Sequence, residues 1–132
     1  MSKENLDLVR AAFDAWNSDD MGAYAALLDA GVIVRAPANW PEPGPFVGLD
    51  AVMRQFRQLR DTFDSDKSEP ISDFVTVADR VVVRFAWRTV GGRGPDANME
   101  ITVVYTIRKG RVVEIEFVWD HAEVLEALGL GE

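Results

Sequence analysis

The sequence has no cysteine, one histidine and no apolar run approaching the ~20 residues that a bilayer-spanning helix needs. Without cysteine there is no disulfide scaffold, no thiolate nucleophile and no cysteine-bound zinc or iron–sulfur site. A single histidine excludes histidine-rich metal sites, and no EF-hand spacing offers a carboxylate site instead. No cofactor or metal is therefore expected. Positive charge is also scarce. The 14 Lys and Arg face 22 Asp and Glu, for a formal net charge of −8. Such a chain repels polyanions, so nucleic acid is not an expected partner. Arg54, Arg57 and Arg60 are interleaved with Gln55, Gln58 and Asp61 and form no basic stripe. Phosphate-binding glycine loops, dinucleotide fingerprints and G-x-S-x-G elbows are missing. Gly91-Gly92-Arg93-Gly94-Pro95 lies between strand-like stretches and reads as a turn. Met1-Ser2-Lys3-Glu4-Asn5 lacks the apolar core of a signal peptide. The expectation is a soluble cytoplasmic protein with no membrane partner.

What is present is apolar content. At 132 residues and 48% hydrophobic, the chain fits a single domain over 1–132 with a sizeable core. Leu6, Val9, Phe13 and Trp16 recur at helical spacing, with Ser2 as N-cap candidate. A short second helix carries Tyr24, Leu27 and Leu28, capped by Asp19 or Asp20, with Gly31 at its C-terminal end. Val32-Ile33-Val34-Arg35-Ala36 is β-branched and reads as a strand. The segment from Pro37 to Phe46 holds four of the six prolines and can be neither helix nor central strand. A third helix runs from about Leu49 to Phe63, burying Val52, Phe56, Leu59 and Phe63. Residues 64–68 read as a turn.

From about Ser68 the period becomes two. Val81, Val83, Phe85 and Trp87 form one face. Met99, Ile101, Val103, Tyr105 and Ile107 continue it, and Val113, Ile115, Phe117 and Trp119 complete it. Lys109-Gly110 is a hairpin signal. Asp120 to Leu128 reads as a closing helix, with Asp120 and Glu123 spaced as a capping box and Gly129 as terminator. The fold class is α+β: N-terminal helices lie against the apolar face of a curved antiparallel sheet, and a short C-terminal helix follows.

This order of elements resembles the nuclear transport factor 2-like superfamily, and within it the SnoaL-like polyketide cyclase domains. The resemblance is carried by residues 8–17 with Asp20 and Leu27-Leu28-Asp29, and by Gly44-Pro45-Phe46-Val47-Gly48 leading into Ala51-Val52. It continues in Asp79-Arg80-Val81-Val82-Val83, Ile107-Arg108-Lys109-Gly110-Arg111-Val112-Val113, and Asp120 with Ala122-Glu123-Val124-Leu125 and Gly129-Leu130. It implies a ketosteroid isomerase-like, cystatin-like cone with a cavity between helices and sheet. It does not choose a chemistry, since the superfamily hosts isomerases, dehydratases, hydrolases, cyclases and non-catalytic domains.

Aromatic residues are the candidates for lining such a cavity around a small apolar or aromatic molecule. Trp16, Tyr24 and Phe56 come from the helices, and Trp40 and Phe46 from the proline-rich loop beside Asn39. Trp87, Tyr105, Phe117 and Trp119 come from the sheet. Met99 offers an adaptable wall, or ordinary core filling. For proton transfer, Asp120 stands where the resemblance implies an acid–base Asp, yet its position equally fits a helix cap, whose carboxylate is a poor base. His121 has the right intrinsic pKa or is an exposed first-turn residue. Arg35 shares parity with Ile33 and Pro37, so it either faces inward to hold an enolate or carboxylate or ends its strand in solvent. Asp73 shares parity with Ile71 and Val75 and has the same two options.

The opposite sheet face mixes Val82, Ala86, Thr102, Val104, Thr106 and Val118 with Arg84, Arg88, Glu100, Glu114 and Glu116. A face this apolar calls for a cover, and pairing with a second copy supplies one. The resemblance implies the same, so a homodimer through that face is expected. Three functions remain open: a cofactor-free acid–base lyase, isomerase or cyclase; a non-catalytic pocket; and a dimerising accessory domain.

Overall fold

The computed structural model describes residues 2–42, 44–93 and 96–129. Pro43 of the proline-rich loop, Gly94 and Pro95 of the glycine turn, and Leu130 of the C-terminal end lie outside them. Helix α1 (Ser2–Asn17) buries Val9, Ala12, Phe13 and Trp16, the apolar stripe of its sequence. Ser2 is the first helical residue rather than the one preceding the helix. Asp20 caps α2 (Met21–Ala26) by accepting from the Ala23 N–H at 3.0 Å. Helix α3 (Leu49–Asp61) buries Val52, Met53 and Phe56. Its lead-in, Gly48, sits at φ 94°, where a side chain is strained, and donates its N–H to the Val32 carbonyl at 2.8 Å.

The strands are β1 (Leu28–Arg35), β2 (Phe46–Val47), β3 (Ser65–Pro70), β4 (Val75–Val77), β5 (Arg80–Val90), β6 (Ala97–Arg108) and β7 (Arg111–Val118). The sheet order is β2-β1-β7-β6-β5-β3, with β4 also on β5. A tight turn with φ 54° at Lys109 and 76° at Gly110 joins β6 to β7.

Four expectations need correction. Leu28 and Gly31 belong to β1 rather than to the end of a helix. The register runs Leu28↔Val112 and then Ile33↔Glu114, so β1 bulges, and the Asp29 carboxylate accepts from the Gly31 N–H within the bulge. The sheet is not wholly antiparallel, because β1 runs parallel to β7. Most of the chain separates those two strands, so no hairpin forces them to oppose. Residues 65–70 form an edge strand paired with β5 from Ser65↔Val90 to Pro70↔Phe85. Pairing with a long partner overrides their polar composition. Asp73 is exposed and belongs to no strand.

Part of the outer sheet face is covered within the chain. Helix α4 (His121–Ala127) packs Val124 and Leu125, with Leu128 beyond its end, against Val82, Val104, Val75 and Val118. Val82, Val104 and Val118 of that face thus pack against α4 of the same chain, while Arg88, Glu100 and Glu116 of the face stay exposed. Among the described residues, no helix is long and apolar enough to cross a membrane.

Candidate functional site

Between the first three helices and the inner sheet face lies a cavity of about 100 Å³. That is far above the ~10–15 Å³ one water needs, and of the same order as the ~150 Å³ engineered hollow that takes up a benzene ring. Helix α1 contributes Phe13 and Trp16, α2 contributes Tyr24, and α3 contributes Phe56 and Leu59. The sheet adds Val34, Phe85, Trp87, Ile101, Tyr105 and Phe117. Pro37, Trp40 and Glu42 close the side under the proline-rich loop, with Phe46 at the start of β2. There the Gln55 amide donates to the Glu42 carboxylate at 3.0 Å, tying the loop to α3.

The walls are braced edge to face. Trp16 meets Tyr24 at 5.6 Å and Phe56 at 5.4 Å, and Phe13 meets Phe85 at 5.6 Å. Rings held this way resist collapse, since closing the hollow would break contacts of about 0.5–1.5 kcal/mol each.

Three expected lining residues stand elsewhere. Asn39 is exposed at φ 65°, at the tip of the loop. Met99 packs against the core opposite Trp87 in the register but does not reach the cavity. Trp119 is 38% exposed and lies across the loop, donating its indole N–H to the Ala38 carbonyl at 2.8 Å and flanking Trp40 at 6.3 Å.

The charged candidates also lie away from the hollow. Asp120 is exposed, and its carboxylate accepts from the Glu123 N–H at 3.0 Å as the N-cap of α4. His121 sits on the outer face, with Nδ1 3.0 Å from Thr102 Oγ1. Burial pushes its pKa below the ordinary 6.5, the Arg84 guanidinium pushes the same way, and Asp120 opposes them. Arg84 donates to Thr102 Oγ1 at 3.2 Å and to the Trp119 carbonyl at 3.0 Å. Arg35 points outward and donates to Glu114 at 3.0 Å, because Val32 and Val34 take the inward positions of β1.

Two polar features inside the fold escape the sequence pattern. The Asp66 side chain is 3% exposed, and its Oδ2 accepts the indole N–H groups of Trp16 at 2.6 Å and Trp87 at 2.9 Å. Its Oδ1 lies 3.5 Å from Arg60 Nη1, and that guanidinium also stacks over Trp16 and pairs with Asp19 at 3.1 Å. Asp66 thus orients two of the cavity walls, and its oxygens are engaged. The available signal was the tryptophans: a buried indole N–H needs an acceptor. The second feature is the phenol pair. Tyr24 and Tyr105 both line the cavity and are buried. Burial drives both pKa values well above 10. Among the described residues, no group of three or more His, Asp or Glu is placed to hold a metal.

Comparison with known proteins bears on the fold and the family. The chain is similar to an NTF2-like protein of unknown function from Burkholderia pseudomallei, at 23% identity, covering 95% of this chain and 97% of that one, with a TM-score of 0.77. It is similar to TerC co-crystallized with polyporic acid, at 18% identity, 96% and 98% coverage and a TM-score of 0.76. A protein from Sinorhizobium meliloti described as a polyketide cyclase shares 23% identity over 84% and 93% of the two chains, with a TM-score of 0.71. Other similar structures are described as cystatin folds. Identities this low establish the common α+β fold and nothing finer. No curated protein matches the sequence. The SnoaL-like domain profile matches residues 9–115. With that match spanning most of the chain and the cone-like fold around it, the protein belongs to the family of SnoaL-like domains.

Proposed function

We propose that this SnoaL-like domain binds a small, largely apolar molecule of single-ring size in the cavity, as a binding domain. The observation that carries this reading is the ring-lined hollow itself, with its charged candidates spent elsewhere. Asp120 caps a helix, His121 and Arg35 lie on the outer face, and Asp66 is held by two indoles. Removing one ring from water stabilises by about 25 cal/mol per Å² of apolar surface, enough for micromolar to millimolar affinity in a prepared hollow. Titration with α-methylstyrene, followed by tryptophan fluorescence and calorimetry, tests it. Saturable binding is expected, since Trp16, Trp40 and Trp87 line the site. Failure of every single-ring probe to bind overturns the reading.

A second reading, cofactor-free proton transfer, draws support from Glu42, an acid that lines the mouth. It predicts that the protein exchanges the methyl protons of acetophenone for deuterium in heavy water, and that Glu42→Gln abolishes the exchange. An exchange rate equal to that of buffer removes this reading and leaves the binding one in place.

A further inference from the structure

We infer that the cavity selects a cation: a single-ring organic ammonium whose ring fills the hollow and whose charged head stays at the mouth, beside Glu42 and Trp40. This inference rests on the cavity being a binding site and names the class of guest it takes.

Charge is distributed one-sidedly around the hollow. Among the described residues, Glu42 is the one charged side chain in the wall, and no lysine or arginine lines it. Arg60, stacked over the Trp16 ring, pairs with Asp19 and lies beside Asp66. Glu42 is exposed at the proline-rich loop, and one of its oxygens accepts from Gln55 at 3.0 Å. Among the described residues, no lysine or arginine forms an ion pair with it. Its neighbours in the wall are rings. Trp40 is half-buried and stands 6.3 Å from both Trp87 and Trp119, tilted by 58° and 44°, so neither indole stacks flat upon it. The face of an aromatic ring carries partial negative charge, and indole attracts a cation more strongly than phenol or benzene does. The indole N–H groups that could hold an anion are spent within the chain. Those of Trp16 and Trp87 donate to Asp66, and that of Trp119 donates to Ala38. The net charge of −8 adds a long-range bias of the same sign.

Three kinds of guest can be weighed against this wall. A purely apolar guest at the mouth takes water from one side of the Glu42 carboxylate and offers no compensation. An anion meets that carboxylate with like charge and finds no counter-charge among the lining residues. A cation answers the carboxylate and the rings together. Its head stays on the water side of the hollow and so avoids the full cost of burying a charge. The hollow of about 100 Å³ takes the apolar part. A quaternary head suits such a wall because it needs no hydrogen-bond acceptors.

The test compares phenyltrimethylammonium with tert-butylbenzene, which has the same shape with N⁺ replaced by carbon, and with benzoate as the anionic arm. The first two carry no acidic C–H, so proton transfer plays no part in the comparison. At low salt the cation is expected to bind about threefold or more tighter than its neutral isostere, and benzoate most weakly. Glu42→Gln keeps an oxygen for Gln55 and removes the charge. In that variant the cation loses about three- to fivefold in affinity, the scale of one solvent-facing ion pair, while tert-butylbenzene shifts less than about twofold. Raising salt from ~20 to ~500 mM weakens the cation and not the isostere. Thermal melting establishes that the variant is folded, and the isostere and salt comparisons on the unmodified protein decide the matter even if it is not. Equal or weaker binding of the cation, or an unchanged affinity in folded Glu42→Gln, overturns the cation assignment, and the binding reading stands if α-methylstyrene still binds. If neither α-methylstyrene nor any of these probes binds, both fall together.

Discussion

On the inner face of the sheet, Tyr24 and Tyr105 meet in a ring-lined hollow. On the outer face Arg84, Thr102, His121 and Asp120 knit α4 to the strands. Apart from Glu42 at the mouth, the inner wall is ring-lined, and Asp120, His121 and Arg35 are spent as structural fasteners outside. The difference has a physical origin. A short helix on a sheet exposes backbone ends and strand edges that charged side chains neutralise cheaply near water, whereas the same charges in an apolar hollow would carry an uncompensated desolvation cost. Titratability in a sequence therefore marks positions near water as readily as it marks a site.

The sharpest way to break this comparison is at Asp66, a buried carboxylate of the inner side. Asp66→Ala strands two indole N–H groups and the Arg60 guanidinium, and a loss of ~3–5 kcal/mol in urea unfolding is expected. Asp66→Asn keeps one acceptor and should lose less. Next in size is Ala36→Phe, which drives a ring into the hollow from its β1 side. Binding of α-methylstyrene should vanish at a stability change of ~1–3 kcal/mol. Retained binding would place the ligand elsewhere. Asp120→Ala should remove the α4 cap at ~1 kcal/mol and leave α-methylstyrene affinity unchanged, so a parallel loss of affinity would erase the distinction between the faces.

The smallest effect concerns His121. Its folded pKa lies below the ordinary 6.5, so between those two values the unfolded chain binds more protons. Stability from this group is complete above about pH 6.5 and is lost as pH falls through the folded value. As the one histidine of the chain, it gives a single imidazole titration by NMR, expected below 6.5 and absent in His121→Asn. A midpoint above 6.5 would remove the structural role assigned to Arg84 and burial.

Much of this architecture is readable from residue periodicity. The stripe Val9-Phe13-Trp16, the alternation from Val81 to Trp87 and the hairpin at Lys109-Gly110 each specify their element locally. What escapes is set by partners distant in the chain. Residues 65–70 become a strand only because β5 is there to pair with, and Asp66 turns inward only with it. Arg35 shows the limit of parity reasoning. Ile33 and Pro37 suggest an inward face, but the bulge at 28–33 and the pairing with β7 assign that side to Val32 and Val34. The aromatic supply pointed toward a hollow, yet the partition between walls and outriders was not legible. Trp119 continues the inward alternation of Phe117, and its ring nonetheless leaves the interior for the Ala38 carbonyl.

That tryptophan is where the two faces cease to be separable. Its indole fastens the proline-rich loop over the mouth, its carbonyl receives Arg84, and the next residue starts α4. The loop over the mouth and the first turn of α4 thus meet at two consecutive residues, one rigid ring and one capping carboxylate.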